Sequence, residues 1–190
     1  MPKNANSKEN ILDAAEAVVG ENGPGHLSLD VVARKAGVSK GGLMYHFPTK
    51  EALLKAMLVR LLTGFYADRE KKMRSIPDGR GRLFKAGILA CMDRDAKMDR
   101  TGLAILAAAA YDPDLLGPMR QANAEHAQAL KASGLSLVRA SIVSLASDGL
   151  MLNELLHISP YNAAERKRIK EEMMCMIDEC ASTDRRARKA

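Results

Sequence analysis

Apolar residues recur every three or four positions along most of the chain, which is the spacing of amphipathic α-helices. A first helix is predicted to begin near Asn6, which forms a capping-box pattern with Glu9, and to end near Asn22. Its inner face consists of Ile11, Leu12, Ala15, Val18 and Val19. With 3 Phe, 4 Tyr and no Trp, the composition is poor in the aromatic residues that favour strands. We therefore expect an all-helical protein.

Two short helices follow the first one. Ser28 is a suitable N-cap for a helix that ends at Gly37, and Ser39 is a suitable N-cap for the next helix. In that next helix, Leu43 and Phe47 lie one turn apart on the side predicted to be buried. Two short helices joined by a glycine-containing turn form a helix-turn-helix.

The rest of the chain is predicted to be helical as well. A long helix covers residues 50–73, and the segment 75–82, rich in Pro, Gly and Arg, predicts a turn after it. Asp112-Pro113 and the pair Asn162 and Glu165 are typical helix starts. Further helices are predicted over residues 82–97, 100–111, 113–132, 136–158 and 162–181. The polar, basic residues 184–190 are expected to form a disordered tail.

The outer face of the second short helix has the chemistry of a surface that reads DNA. With the two apolar residues turned inward, this face retains Ser39, Lys40, Gly41, Gly42, Met44, Tyr45 and His46. In a major groove, Lys40 can donate to guanine O6 or N7, and the two glycines allow the backbone close to the bases. Tyr45, His46 and Lys50 can donate to phosphate oxygens. The spacing alone leaves a solvated helix face with no DNA role as the alternative.

The run from Leu29 to Leu53 resembles the DNA-binding signature of the tetracycline-repressor (TetR/AcrR) family, over residues 10–54 in all. The resemblance implies a homodimer in which three N-terminal helices bind double-stranded DNA and a variable helical domain binds an effector. Ser28 then corresponds to a phosphate-binding cap. The groove-facing start of the recognition helix corresponds to Ser39, Lys40 and Gly41, and the phosphate clamp corresponds to Tyr45, His46 and Lys50.

Two positions depart from the family pattern. Met44 stands where family members often carry Tyr, so that any DNA contact there is expected to be apolar, for example to a thymine methyl. Asp30 would repel a nearby phosphate unless a basic side chain such as Arg34, one turn away, neutralises it. We assign residues 1–52 to a DNA-binding domain and residues 53–190 to an effector-binding and dimerisation domain, connected by the helix over 50–73.

The last two predicted helices suit a dimer interface, which is their role in the family that the chain resembles. The helix over 136–158 is apolar on nearly every side, and a helix of that kind must be buried. The expected interface residues are Val138, Ile142, Leu145, Gly149, Leu152, Ile169, Met173, Met176 and Ile177. A core within one chain is the alternative, because periodicity does not say whose surface a helix covers.

The helices between residues 82 and 131 are candidates for an effector pocket. Met-rich apolar walls accept varied ligands, so an apolar or aromatic small molecule is the expected effector. The candidate lining residues are Phe84, Ile88, Met92, Leu106, Tyr111, Met119 and His126. Core packing explains these residues equally well. Asp148 and Asn153 lie in an apolar helix and would need partners if buried, in the pocket, in the dimer or in a capping network.

Composition narrows the remaining function classes. A net charge of +6, from 29 basic and 23 acidic residues, permits an anionic partner. The 3 Cys are expected to be reduced thiols, and we expect neither a membrane span nor a signal peptide, hence a cytoplasmic protein. The 4 His are scattered, and Glu154 with His157 has no second copy that would complete a metal site.

We therefore expect no catalytic residues, metal or cofactor. The expected function is that of a ligand-released repressor that binds a pseudo-palindromic operator as a dimer. Transcriptional activation is the alternative within that class. A helical adaptor that binds only protein would leave the two glycines of the recognition helix unexplained, because each lowers helix propensity.

Overall fold

The computed structural model describes residues 3–94 and 96–187, and every regular element in these ranges is a helix. Nine α-helices are described: α1 (Lys3–Asn22), α2 (Leu29–Ala36), α3 (Lys40–His46), α4 (Lys50–Met73), α5 (Arg82–Met92), α6 (Ala96–Ala109), α7 (Gly117–Ala132), α8 (Leu137–Leu155) and α9 (Ala163–Ala187). Two short 3-10 helices, Pro24–His26 and Pro113–Leu116, precede α2 and α7. The expected all-helical architecture is confirmed.

Helix boundaries agree with the sequence where a local cap determines them. The Asn162 backbone N–H donates to Glu165 Oε2 at 2.8 Å, and the Glu165 N–H donates to Asn162 Oδ1 at 3.0 Å, which is the predicted capping box of α9. The Asp112 side chain likewise accepts from the Asp114 N–H at 3.1 Å and begins the second 3-10 helix. The chain between Met73 and Arg82 is the predicted break after α4.

Other boundaries differ from the prediction. Helix α1 begins at Lys3 rather than Asn6, and α5 ends at Met92 rather than 97. Helix α9 continues to Ala187, into the predicted disordered tail, of which residues 188–190 lie outside the described chain. Helical ends without a strong cap depend on packing and on neighbouring charges, which hydrophobic periodicity does not report.

The chain forms two compact units. The first comprises Met1–Thr63 with Asp95–Gln121, and the second comprises Gly64–Arg94 with Ala122–Ala190. In the first unit, α1 packs against α2 and α6, and the fully buried side chains include Ile11, Leu43, Leu53 and Met57. In the second unit, α5, α8 and α9 pack together around Phe84, Val143 and Ile177. These units do not test the predicted functional boundary between a DNA-binding domain over residues 1–52 and an effector-binding and dimerisation domain over residues 53–190. That boundary stays a proposal.

Candidate functional site

The turn between α2 and α3 is fixed by one glycine and one serine. Gly37 has a φ of 67°, in the left-handed region that favours glycine, and its N–H bonds back to α2. After it, Ser39 Oγ accepts from the Gly42 N–H at 3.0 Å and caps α3. Helix α2 has an equivalent cap, because Ser28 Oγ accepts from the Val31 N–H at 3.3 Å. These contacts form the predicted helix-turn-helix.

Helix α1 supports this turn through contacts that the sequence pattern did not reveal. Asn10 Nδ2 donates to the Ala36 carbonyl at 2.8 Å and so ties α1 to the last residue of α2. Arg60 of α4 hydrogen-bonds Asp13 of α1 and lies 3.6 Å from Glu16 of the same helix. The one feature of the sequence that could have indicated these contacts is that polar residues border the apolar stripe of α1. These contacts hold α1 against α2 and α4, and we call these three helices the frame of α3.

The predicted DNA-reading residues lie at the surface of this frame, while Leu43 and Phe47 are buried beneath α3. Tyr45 is 76% exposed and Met44 is 42% exposed. The other exposed members of the predicted set are Ser28, Ser39, Lys40, Gly41, Gly42 and Lys50. His46 is half-buried, with its ring edge-on to Tyr45 at a centroid distance of 5.2 Å. Their assignment as DNA contacts stays a proposal.

Lys40 forms an ion pair on this surface. Its Nζ lies 3.0 Å from Asp30 Oδ1 and 3.2 Å from Asp30 Oδ2. The sequence pointed to Arg34 as the partner of Asp30, because the two residues are one helical turn apart. The turn at Gly37 instead brings the start of α3 next to the first turn of α2, so that the lysine reaches the carboxylate.

Gly41→Ala is expected to stabilise the free protein by roughly 0.5–1 kcal/mol and to weaken binding to its DNA target about tenfold. A Cβ at Gly41 would meet no heavy atom within 4 Å, so the methyl fits the free chain and improves helix propensity. On DNA the same methyl would occupy the space between the helix backbone and the bases. Urea unfolding and duplex titration measure the two effects.

Gly64→Ala is the matched control for this prediction. Gly64 is an exposed glycine inside α4, and a Cβ there also meets nothing within 4 Å. This variant is expected to gain stability without losing DNA affinity. If Gly41→Ala bound DNA as tightly as Gly64→Ala did, close approach of the backbone at Gly41 would be ruled out.

Helix α8 carries an exposed apolar stripe in the second unit. Its side chains follow a spacing of three and four residues, and the largest exposed fractions are 69% for Val138 and Leu145 and 54% for Ile142. Leu152 and Leu156 continue the stripe at 41% and 44% exposed. Exposed apolar stripes are typical of interaction sites, and the assignment of these residues to a dimer interface stays a prediction. We call this set, with the half-buried Gly149 between Leu145 and Leu152, the α8 stripe.

Part of the predicted interface set needs correction. Met173 and Ile177 of α9 are 4% and 0% exposed and pack in the core of the second unit, so their own chain already covers them. Ile169 and Met176 are half-buried against the same core. Helix α9 is amphipathic, as predicted, and its apolar face packs on α5 and α8. Of the predicted interface residues, the exposed ones lie on α8.

The predicted effector residues belong to two different units of the chain. Phe84 and Ile88 are each 4% exposed in the core of the second unit, where Met92 packs against them. Leu106 and Tyr111 belong to the first unit and are 40% and 94% exposed, and Met119 packs on the core of that unit. Within the first unit α6 packs on α1. The assignment of all these residues to one effector pocket stays a prediction.

His126 is the member of this set that has polar neighbours. Its Nε2 lies 3.2 Å from Ser144 Oγ, and its ring is edge-on to Phe84 at 5.5 Å. Burial lowers the pKa of His126 although the nearby Asp148 opposes that shift, so the imidazole is predominantly neutral near pH 7. Asp148 is exposed, but partial desolvation raises the pKa of its carboxyl, against the effect of His126.

The neighbouring residues of α8 add further polar groups. Asp148 lies one turn after Ser144, and thus on the same side of the helix. Ser147 is 4% exposed, and its hydroxyl has no hydrogen-bond partner in the described chain. Asn153, by contrast, is satisfied within α8, because its Nδ2 donates to the Gly149 carbonyl at 2.7 Å. We call His126, Ser144, Ser147 and Asp148 the His126 cluster.

Among the described residues, no group of three or more His, Cys, Asp or Glu side chains is arranged to hold a metal ion. Within the same residues, no helix is long and apolar enough to cross a membrane. Cys91 and Cys180 are buried free thiols and Cys175 is an exposed one.

The capped helix pair and its exposed basic helix start define a helix-turn-helix protein of the DNA-binding class. The family described as "Bacterial regulatory proteins, tetR family" matches residues 11–57, and "Tetracyclin repressor-like, C-terminal domain" matches residues 81–178. The chain therefore belongs to the TetR family of DNA-binding transcriptional regulators. The proteins of this family are regulators rather than enzymes.

Individual relatives agree with this membership. The HTH-type transcriptional regulator BetI of Proteus mirabilis is 28% identical over 190 residues, covering 89% of this chain and 90% of that protein. The multidrug binding protein EbrR, in a crystal structure with imidazole, is 26% identical with a TM-score of 0.64, covering 89% of this chain and 93% of that one. The same protein with malachite green has a TM-score of 0.63 at 27% identity.

A transcriptional regulator from Rhodococcus has the same fold, with a TM-score of 0.70 at 23% identity, covering 91% of this chain and 95% of that one. The likeness to BetI and to EbrR extends over most of each chain and thus over both the DNA-binding and the C-terminal regions. The resemblance of residues 29–53 to the TetR family signature is thereby confirmed.

Proposed function

We propose that this protein is a ligand-released repressor that binds a pseudo-palindromic operator as a homodimer. The observation that carries the proposal is the exposed polar face of α3, with Lys40, Gly41 and Tyr45 held outward over a buried Leu43. Capping and burial position this face without covering it. A helix of this kind fits the major groove of double-stranded DNA, where its first residues contact base edges.

Two kinds of DNA contact are proposed. Lys40 is the base-reading residue, with Met44 in apolar contact, because they lie at the start and on the exposed side of α3. Tyr45, His46 and Lys50, together with Ser28, are proposed to bind phosphate and to supply affinity that depends little on sequence. Lys50 begins α4 and Thr49 Oγ1 caps that helix at 3.1 Å from the Ala52 N–H, which holds the lysine at the edge of the unit.

The α8 stripe supports the proposed homodimer. A twofold interface uses the same surface of both copies, so an apolar stripe with Gly149 at its middle is self-complementary. A Cβ at Gly149 meets nothing within 4 Å, which leaves room for a partner helix to approach. The dimer places two recognition helices on half-sites about one helical turn of DNA or somewhat more apart.

The His126 cluster is the proposed polar end of the effector site. A small molecule with an apolar or aromatic body would pack near Phe84 and Met92, with its polar group at His126 or at the unpartnered hydroxyl of Ser147. EbrR, which has been crystallised with imidazole and with malachite green, shows that a relative of similar fold accepts aromatic molecules. We propose no cofactor and no metal, and we place the protein in the cytoplasm, where its DNA is.

Release requires that the effector bind the DNA-free and the DNA-bound states with different affinity. Helix α4 is the proposed coupling element, because residues up to Thr63 belong to the first unit and residues from Gly64 belong to the second. A small tilt of this helix would change the separation of the recognition helices in the dimer. An effector that left operator affinity unchanged at fixed salt would contradict this mechanism.

The proposed function is tested by selecting bound duplexes from a random DNA pool with the purified protein at near-physiological salt. We expect enrichment of an inverted repeat, because a symmetric dimer reads two identical half-sites. The enriched duplex is then used to screen small aromatic molecules for DNA release. Enrichment of a single unrepeated site would exclude the dimeric mode, and a pool that stayed random would refute operator binding by the free protein.

A further inference from the structure

The ion pair of Lys40 and Asp30 leaves the lysine able to bind a further acceptor. An ammonium group has three N–H donors, and the two Asp30 oxygens, at 3.0 and 3.2 Å, engage at most two of them. At least one donor is therefore free while the pair is intact. We propose that Asp30 is a positioning residue, which directs Lys40 to a base edge rather than to a phosphate and so raises operator affinity relative to random DNA. This inference rests on the proposed function.

The charge of the pair gives the physical reason. A free lysine near the DNA surface is attracted to every phosphate and strengthens binding to all sequences alike. The carboxylate of Asp30 cancels this long-range attraction, and it would itself be repelled if the pair came close to a phosphate. Guanine O6 and N7 are neutral acceptors and lie farther from the phosphates, so the paired lysine approaches them with less repulsion of the carboxylate than at a phosphate. What remains is a short-range contact that depends on the base.

The pair has little structural importance of its own. Lys40 and Asp30 side chains are 60% and 63% exposed, and exposed ion pairs contribute little to stability. Asp30 also lies in the first turn of α2, where a carboxylate interacts favourably with the helix N-terminus. That structural role would affect unfolding but would not distinguish one DNA sequence from another.

Asp30→Asn tests the proposal, using the duplex that the wild-type protein enriches and a shuffled duplex of equal length. We expect affinity for the shuffled duplex to rise about threefold. The slope of log affinity against log salt concentration should become steeper by about the amount that one additional phosphate contact contributes. Operator affinity is expected to stay level or to fall. The ratio of operator to shuffled affinity should thus decrease at least about threefold.

Glu21→Gln is the matched control. Glu21 forms an ion pair with Lys35, whose Nζ lies 2.8 Å from Glu21 Oε1. This pair belongs to the same unit but lies outside α3, and the substitution removes the same charge as Asp30→Asn does. We expect this variant to raise affinity for both duplexes by one common factor. If Asp30→Asn behaved as Glu21→Gln does, Asp30 would act only through net charge and the proposal would be overturned.

A double substitution identifies the group through which Asp30 acts. In a Lys40→Ala background, Asp30→Asn is expected to leave the affinity ratio unchanged. A ratio that still fell would show that Asp30 does not act through Lys40, and would overturn the proposal. If the wild-type protein enriched no duplex, the proposed function would fail and this inference with it. Enrichment followed by equal shifts on both duplexes would overturn the Asp30 inference alone.

Discussion

Leu145→Glu is expected to convert the protein to a monomer and to lower operator affinity at least about 100-fold. Leu145 is 69% exposed in the middle of the α8 stripe, so the glutamate is solvated in the monomer and should change its stability by less than about 0.5 kcal/mol. In a twofold interface the two copies of the substituted side chain would be buried together without a partner cation. Several kcal/mol of desolvation and repulsion would then oppose association.

The loss of DNA affinity follows from the loss of the second recognition helix. A monomer contacts one half-site, whereas in a dimer binding of the first half-site greatly raises the local concentration of the second recognition helix. Mass measurement by sedimentation and titration of the selected duplex at one salt concentration check the two effects. The variant must also keep its helical content and unfolding midpoint, because a misfolded chain would lose DNA binding for another reason.

Val59→Glu is the control for this substitution. Val59 is a 49% exposed apolar residue on α4, outside the α8 stripe, and the change has the same chemistry. It is expected to leave the mass of the protein in solution unchanged. A Leu145→Glu protein that sedimented with the mass of the wild-type dimer would show that the α8 stripe is not the interface.

The DNA-binding region was predictable because its determinants are local. The caps at Ser28 and Ser39, the turn at Gly37 and the inward Leu43 all lie within a few residues of the groups that they position. The partner of Asp30 was not predictable by the same rule. Spacing within one helix favoured Arg34, whereas the ion pair to Lys40 depends on how the turn orients α3 against α2.

The second unit was less predictable because helical periodicity shows that a face is apolar but not what covers it. Ile177 and Leu145 were both predicted to lie in the dimer interface, yet the first is fully buried within the chain and the second is 69% exposed. Tyr111 and Phe84 were both predicted to line an effector pocket, and Tyr111 is 94% exposed in the first unit while Phe84 is 4% exposed in the core of the second. These outcomes depend on long-range packing.

Gly81→Ala is expected to destabilise the second unit by about 1–3 kcal/mol through overpacking. A Cβ at Gly81 would lie 2.5 Å from Ile177 Cγ2, which is closer than two carbon atoms can approach. Gly81 has a φ of −87°, which alanine adopts readily, so the penalty is steric rather than conformational. Ile177 cannot move aside easily, because it is 0% exposed and its side chain is β-branched.

Gly79→Ala, two residues earlier, separates this steric effect from a general effect of glycine replacement. A Cβ there meets nothing within 4 Å, and the change is expected to be neutral or to stabilise by a few tenths of a kcal/mol. Urea unfolding of both variants gives the comparison, and equal free energies of unfolding would contradict the predicted clash. Ile177→Ala is itself destabilising, but in that background Gly81→Ala should cost less than in the wild-type protein, because the cavity accepts the new methyl. Such coupling would show that Gly81 and Ile177 pack against each other in the core of their own unit.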